Sequence, residues 1–407
     1  MDEIRKRKIT MKNIPLMEIF VVIFYIINQY SLGSLSLGFI LMGIMVVFVF
    51  IKTRKLRFYY PLLFLFVYML MHDIMKNIIV SVNAFSWLEK ILYFVFLGLI
   101  IGNIDKEKFY SVYRKVGAVV MAGLFVQSVQ VYILGQSVKM INILPFLNSD
   151  SENFTKEYMR PHSFMLEPAA YVSWIMPLLI MTLQKRKLKY AIIITISILL
   201  SSSVTGILFT IFVWLYYCFT GLSNYETRRS SLIMLTVIVF GIFSFTSMSI
   251  FSTSMDKLTN TSVDDTSNSV RTTLGFELYK QLNLGQQLFG IPYTNAEEYM
   301  KSGVVNLRDY GLSEDLNYLG FVNSMSNCLL NYGMLGAILY IFMFFSFFRK
   351  TEKKQRAYVM LCFFSTFAQS AFWNSLFVIQ ISFMLICLSD DNMFLIVGEK
   401  EREELYG

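Results

Sequence analysis

Three arginines are the residues of this sequence whose type and position best suit the binding of phosphate. Arg160 lies just before an apolar stretch, whereas Arg271 and Arg308 lie in the longest polar stretch of the chain. A guanidinium group binds phosphate oxygens in a bidentate manner and keeps its charge at physiological pH. A lone arginine at a protein surface is more often only solvated, so the alternative for each is a solvated or snorkelling side chain.

Two residues close to Arg160 could exchange a proton with a substrate. Glu167 lies at the start of an apolar stretch, where a carboxylate is costly unless it faces a cavity or a cation. His162 titrates near neutral pH in an ordinary environment, so either residue could act as a general base. The alternatives are an acid that complements a helix N-terminus for Glu167 and a plain surface residue for His162.

Residues of the metal-binding types are scarce in the sequence. It contains two histidines, and its four cysteines fall in apolar stretches without a CxxC pair. We therefore expect no histidine-based metal cluster, no cofactor, and cysteines that act as small apolar residues of helices.

The elements that must position these residues are apolar. Hydrophobic residues make up 55% of the 407 residues and charged residues only 16%, and the mean hydropathy is +0.54. Long apolar stretches alternate with short charged ones, a pattern typical of helices that span a bilayer. We predict twelve spans, at about residues 15–32, 35–51, 58–72, 85–102, 116–135, 169–183, 190–202, 205–220, 231–251, 322–348, 356–373 and 374–389.

The distribution of lysine and arginine predicts the orientation of these spans. With the N-terminus in the cytoplasm, the cytoplasmic segments and the C-terminal tail carry 26 of the 36 basic residues, as the positive-inside rule requires. The net charge of +8 then suits anionic cytoplasmic lipid rather than nucleic acid. Both termini are predicted to be cytoplasmic.

The apolar stretch 190–220 is ambiguous because about 31 residues of helix reach roughly 46 Å, less than two full crossings of a bilayer core. One crossing would place the basic segment 349–356 outside, so we predict two short helices joined by a serine-rich turn at 201–206. Such a turn either lines an outward-facing cavity or packs helices through back-bonded hydroxyls.

Two predicted outer segments, 136–168 and 252–321, are long enough to form an active site. The second has about 70 residues, too many for a simple connection. Residues 269–288 within it are predicted to form an amphipathic helix that ends at Gly290, with Arg271, Gly275, Leu278 and Leu282 along one side.

Four segments together resemble a known family. They are RPHSFMLEPAAY (160–171), SSSVTGIL (201–208), SVRTTLGFELYKQLNLGQQLFGIPYTN (269–295) and NSMSNCLLNYGMLGAILY (323–340). Their order and spacing over the whole chain are similar to those of the Wzy-type O-antigen and capsular polysaccharide polymerases, which belong with the O-antigen ligases. The ligase branch typically has a histidine just before the tenth span, and residues 320–327 contain none, which favours a polymerase.

The resemblance implies an all-α, GT-C-like enzyme of the bacterial cytoplasmic (inner) membrane with a large, partly helical external loop. It would be a metal-independent glycosyltransferase that joins undecaprenyl-pyrophosphate-linked oligosaccharide repeat units on the outer face of the membrane. Arg160, Arg271 and Arg308 would bind pyrophosphate, and Glu167 or His162 would take the acceptor proton. The residues that would hydrogen-bond the glycan or phosphate are Ser202, Thr205, Tyr171, Asn323 and Asn327.

Two alternatives remain open. An O-antigen ligase would use the same donor and a different acceptor. A lipid-glycan flippase or secondary transporter would commonly show internal repeats and charged residues in mid-span. The sequence shows no such repeat and few charged residues in mid-span. A chain-length regulator and a flippase are expected partners only by analogy with the family.

Overall fold

The computed structural model describes residues 15–33, 35–53, 55–79, 84–147, 152–222, 228, 273–291, 322–387 and 394–398. Within these residues the chain is mainly α-helical and has only four short β-strands. The predicted helical fold class is confirmed to that extent.

The helices follow the apolar stretches of the sequence. In chain order they are α1 (Leu16–Ile27), α2 (Leu37–Thr53), α3 (Tyr60–Ile79), α4 (Ala84–Asn103), α5 (Lys106–Tyr132), α6 (Glu152–Thr155), α7 (Pro168–Gln184), α8 (Leu188–Leu200), α9 (Val204–Leu222), α10 (Gly275–Lys280), α11 (Leu284–Phe289), α12 (Ser324–Lys350), α13 (Arg356–Ser365) and α14 (Ser375–Cys387).

Three of the described helices, α5, α9 and α12, are long and apolar enough to cross a membrane, and several others are shorter apolar helices. Helices overlap eleven of the twelve predicted spans, and the remaining one, 231–251, lies outside the described residues. The transmembrane character is therefore supported, whereas the number of twelve spans stays a prediction.

Aromatic and aliphatic side chains fill the space between the helices. Trp174 of α7 is buried at its centre, where its indole Nε1 donates to the Val22 carbonyl over 2.9 Å. The Tyr113 hydroxyl of α5 donates to the Trp174 carbonyl. Many large apolar side chains lie on the outside instead, among them Phe48 and Phe345. Exposed apolar residues in this number suit contact with lipid.

The strands form two small antiparallel pairs. β1 (Ser31–Leu32) pairs with β2 (Leu35–Ser36) between α1 and α2. β3 (Lys55–Tyr59) precedes α3 and pairs with β4 (Phe394–Gly398), which follows α14. The second pair joins two segments that the charge distribution assigns to the cytoplasmic side.

Other contacts also join segments that the charge distribution assigns to the same side of the membrane. On the predicted cytoplasmic side, the Lys185 ammonium contacts the Glu107 carboxylate at 2.5 and 2.6 Å. The Tyr216 hydroxyl donates to the Lys353 carbonyl over 2.6 Å. On the predicted outer side, the Ile143 amide donates to the Tyr30 hydroxyl over 2.8 Å.

Stretch 190–220 contains two helices, as predicted, and they are joined by the short turn 201–203. The prediction of one helix over 269–288 is wrong in detail, because the described part consists of α10 and α11. The first ends at Lys280. Asn283 caps the second: its side chain accepts from the Gln286 amide over 2.9 Å, and the Gln286 side chain accepts from the Asn283 amide. Of the residues predicted to share one side, Gly275, Leu278 and Leu282 are buried, and Arg271 lies outside the described residues.

Helix α12 is broken at Gly333, where φ is 66° and ψ is −170°. Such a positive φ suits glycine, which lacks a β-carbon. The break divides α12 into a first half that begins at Asn323 and a second half that ends at Lys350.

Candidate functional site

The first predicted outer segment, 136–168, is hydrogen-bonded to α5 through one buried glutamine, Gln127. The Gln127 Oε1 atom accepts from the backbone amides of His162 and Ser163, over 2.9 and 2.6 Å. Its Nε2 atom donates to the Lys139 carbonyl over 2.8 Å. Gln127 therefore holds both ends of the segment, and Ser163 adopts a positive φ of 57° at this point.

His162 is fully buried under this segment. Its Nδ1 atom lies 3.0 Å from the Arg160 carbonyl, which can only accept, so Nδ1 carries the proton. The Nε2 atom is buried and has no hydrogen-bond partner among the described residues. Burial, followed by the neighbouring Arg160 charge, lowers the pKa of His162 below its usual 6.5. The histidine is thus neutral near pH 7, but a substrate cannot reach it in this conformation.

Tyr132, the last residue of α5, contacts the serine-rich turn. The Tyr132 hydroxyl lies 2.6 Å from the Ser202 hydroxyl and donates to the Leu200 carbonyl over 2.7 Å. The Arg160 guanidinium is within electrostatic range of the same tyrosine. Ser202 has a positive φ of 51°, and the bond to Tyr132 holds it in this conformation.

Glu167 occupies the N-cap position of α7, where its side chain makes no capping hydrogen bond. It is partly exposed and lies within electrostatic range of His162 and of Tyr25 on α1. The predicted place at a helix N-terminus is thus confirmed. Of the two predicted bases, Glu167 is the one that is accessible.

Two of the predicted glycan ligands differ in accessibility. Tyr171 is fully buried within α7, and its hydroxyl donates to the Ser197 hydroxyl of α8 over 2.7 Å. That side chain packs two helices together and offers no surface to a glycan in this structure. Thr205 lies in the first turn of α9 and is partly exposed.

Asn323 and Asn327 lie at the start of α12. Asn323 is the N-cap residue, and its Oδ1 atom accepts from the Ser326 amide over 2.8 Å. Asn327 is partly exposed one turn further on, and its side chain accepts from Asn331 over 2.7 Å. Asn323 therefore has a capping role that the sequence analysis did not recognise.

The start of α12 is connected to α7 through Gln369. The Ser324 hydroxyl donates to the Gln369 carbonyl over 2.7 Å, and the Ser173 hydroxyl of α7 donates to the Gln369 Oε1 atom over 3.1 Å. The Gln369 Nε2 atom is buried without a partner in the described part of the chain. Ser173 lies six residues after Glu167, so this connection brings the N-terminal parts of α7 and α12 into one region.

The other two predicted phosphate ligands, Arg271 and Arg308, lie outside the described residues. The described part of their loop begins at Thr273 and packs on α12. A β-carbon built on Gly275 would lie 2.3 Å from the β-carbon of Ser326, so only glycine allows this approach.

A buried charged cluster lies between α3, α4 and α12, and sequence reasoning missed it. The Lys90 ammonium contacts the Asp73 carboxylate at 2.5 Å and the Tyr332 hydroxyl at 2.9 Å. Lys76 is buried nearby, with its ammonium 5.2 Å from the centre of the Tyr332 ring. The signal that could have found them is the set of ionisable residues at 72, 73, 76 and 90, close to or within apolar stretches.

An apolar groove of about 210 Å³ lies between α12 and α13. It is lined by phenylalanines, including Phe344, Phe348 and Phe363. Phe344 and Phe348 belong to the part of α12 near the predicted cytoplasmic side, so the groove is remote along α12 from Asn323.

Among the described residues of the predicted outer region, the candidates for ligand binding are Arg160, the hydroxyls of Ser202 and Thr205, and the partly exposed Glu167 carboxylate. Such a set can bind an anionic, hydroxyl-rich ligand and accept a proton from it. In the part of the chain that the structure describes, no three side chains of the metal-binding types are grouped.

No protein-family model matches this chain, and no curated protein is significantly similar.

Proposed function

We propose that the protein is a glycosyltransferase that polymerises undecaprenyl-pyrophosphate-linked oligosaccharide repeat units, into O-antigen or capsular polysaccharide, on the outer face of the bacterial cytoplasmic membrane. The observation that supports this most is that Tyr132 contacts the serine-rich turn and also lies within electrostatic range of Arg160. Tyr132 thereby relates two segments that resemble the polymerase family. A third, the start of α12, is linked to α7 through Gln369.

In the proposed reaction, a hydroxyl at the non-reducing end of one lipid-linked unit attacks the anomeric carbon of another. The new glycosidic bond forms as the bond from that carbon to the pyrophosphate oxygen breaks. Arg160, with Arg271 and Arg308, neutralises the charge that grows on the departing pyrophosphate. The hydroxyls of Ser202 and Thr205, with Asn327, orient the glycan.

Glu167 is the preferred acceptor of the hydroxyl proton. Its partial exposure at the N-terminus of α7 leaves it reachable, whereas His162 is fully buried. Because an oxocarbenium-like centre develops on the donor, a nearby carboxylate can also stabilise its positive charge.

The test is the length of the surface polysaccharide in a strain whose only copy carries Arg160→Ala. We expect the ladder of chain lengths to collapse to a single repeat unit, because loss of one charge-stabilising donor costs about 10²- to 10³-fold in rate. Arg160→Lys should restore only part of the ladder, since lysine lacks the bidentate geometry. Lys139→Ala is the matched control, because Lys139 is an exposed cation of the same outer segment whose partner is Glu157 at 3.4 Å.

The outcomes of that experiment separate the candidates. Polymer that forms normally on the carrier but never reaches its final acceptor would indicate the ligase. A normal ladder from both Arg160→Ala and a deletion strain would exclude both enzymes.

Transport of a lipid-linked glycan is the second candidate, and one observation favours it. A broken helix with buried charges at the break, here Gly333 with Asp73, Lys76 and Lys90, is a common feature of secondary transporters. A transporter would move the lipid-linked unit across the bilayer of a vesicle without lengthening it. A polymerase would lengthen it on one side.

A further inference from the structure

The break at Gly333 leaves three consecutive backbone carbonyls of α12 with partners from outside the helix. The Leu330 carbonyl accepts from the Ile291 amide over 2.9 Å. The Asn331 carbonyl accepts from the Lys76 ammonium over 2.8 Å, and the Tyr332 carbonyl from the Tyr68 hydroxyl over 2.9 Å. A helix that ends abruptly has such orphan carbonyls, and in an apolar environment each is costly unless it is bonded.

The chain that reaches this break is the external loop, at α11. A β-carbon on Gly290 would lie 2.4 Å from the Asn331 carbonyl oxygen, and one on Gly333 would lie 2.3 Å from the Leu288 carbonyl oxygen. Both glycines have positive φ, 87° and 66°. Two glycines thus allow the backbones of the loop and α12 to touch, and Ile291 is completely buried there.

Two lysines near the break, Lys76 of α3 and Lys90 of α4, carry a charge opposite to that of the helix end. The first half of α12 ends here, and the C-terminal end of a helix carries partial negative charge. The Lys76 and Lys90 ammonium groups lie 5.2 and 5.6 Å from the centre of the Tyr332 ring. The Asp73 carboxylate neutralises the Lys90 ammonium through their ion pair. The carbonyls at the helix end attract the Lys76 ammonium.

We infer that the break in α12 is a docking site for residues 284–291 of the external loop, and that Lys76 and Tyr68 are positioning residues that keep the break open. Without them, the carbonyls of Asn331 and Tyr332 regain partners only when α12 becomes a continuous helix. A continuous α12 has no break to receive Gly290, so the loop detaches. This inference concerns the loop and is independent of the reaction proposed above.

Hydrogen exchange of the full-length protein in detergent micelles, read by mass spectrometry, tests this inference. In the wild type we expect the peptide that covers 284–291 to be protected at its C-terminal end, where the Ile291 amide is bonded. In Lys76→Met and in Tyr68→Phe, exchange in this peptide should become about tenfold faster, while exchange in α5 stays unchanged. Gly333→Ala should act in the same direction.

Two controls are matched to these variants. Lys185→Met removes a lysine that contacts Glu107 on the other side of the bundle, and Gly43→Ala in α2 adds a methyl group whose nearest neighbour is 3.9 Å away. Neither should alter exchange in 284–291. If Lys76→Met is too unstable to measure, the nearly isosteric Tyr68→Phe decides. Fast exchange of this peptide in the wild type, or unchanged exchange in Tyr68→Phe and Lys76→Met, overturns the inference.

Discussion

At the scale of single residues, burial decides which predicted side chains can act. His162 and Glu167 are equally plausible bases in the sequence, because both follow Arg160 closely. In the structure the histidine is fully buried against the Arg160 carbonyl, whereas the carboxylate is partly exposed. The spacing in the sequence predicted the neighbourhood but could not predict which side chain turns inwards.

The burial of His162 predicts a pH dependence of stability. Its pKa in the folded protein is lower than the usual 6.5, so the unfolded chain binds the proton more tightly. The stability from this group is therefore complete above pH 6.5 and is lost as the pH falls towards the lowered pKa. Thermal unfolding in detergent should show a smaller decrease of the melting temperature on acidification in His162→Gln than in the wild type. Equal decreases in both would show that another group controls the effect.

The role of Tyr132 can be separated from its contribution to stability. Tyr132→Phe removes the hydroxyl that joins Ser202 and the Leu200 carbonyl, which should cost about 0.5–1.5 kcal/mol and shorten the polysaccharide chains. Tyr216→Phe removes a comparable bond to the Lys353 carbonyl on the predicted cytoplasmic side. It should cost similar stability and leave chain length unchanged. If both variants shorten the chains equally, Tyr132 has only a structural role.

At the scale of elements, the cap of α12 explains why Asn323 is fixed in place. Asn323→Ala should destabilise the protein by about 0.5–2 kcal/mol because the Ser326 amide loses its acceptor. Asn323→Ser should retain most of the stability, since serine also caps helices. Thermal unfolding of both variants measures this. A loss of polymer length in Asn323→Ser at full stability would instead indicate that the amide binds the glycan.

At the scale of the whole molecule, the predicted sides of the membrane can be tested by labelling. Leu395→Cys in β4, at a partly exposed position, should react with a membrane-impermeant maleimide only in inside-out vesicles. Phe289→Cys in the external loop, which is 54% exposed, should react only in right-side-out vesicles. The four native cysteines are buried, so the wild type provides the blank. Labelling of both positions from one side would contradict the topology.

The sequence predicted most helices because apolar stretches between basic segments leave little choice of structure. It did not predict the cap at Asn283 that divides the loop helix, because a polar residue in an amphipathic stretch can either lie on the exposed face of one helix or cap a second helix. It also missed the break at Gly333, where Lys76 and Tyr68 bind the carbonyls. Those bonds join residues more than 250 positions apart, and no local pattern reveals them.

The most direct test of the proposed function uses the purified protein in lipid vesicles with the undecaprenyl-pyrophosphate-linked repeat unit as its only substrate. The proposal predicts longer glycans on the carrier, with one undecaprenyl pyrophosphate released for each bond formed, and a rate about 100-fold lower in Arg160→Ala. Movement of unchanged repeat units across the bilayer, or release of carrier without a longer glycan, would contradict it.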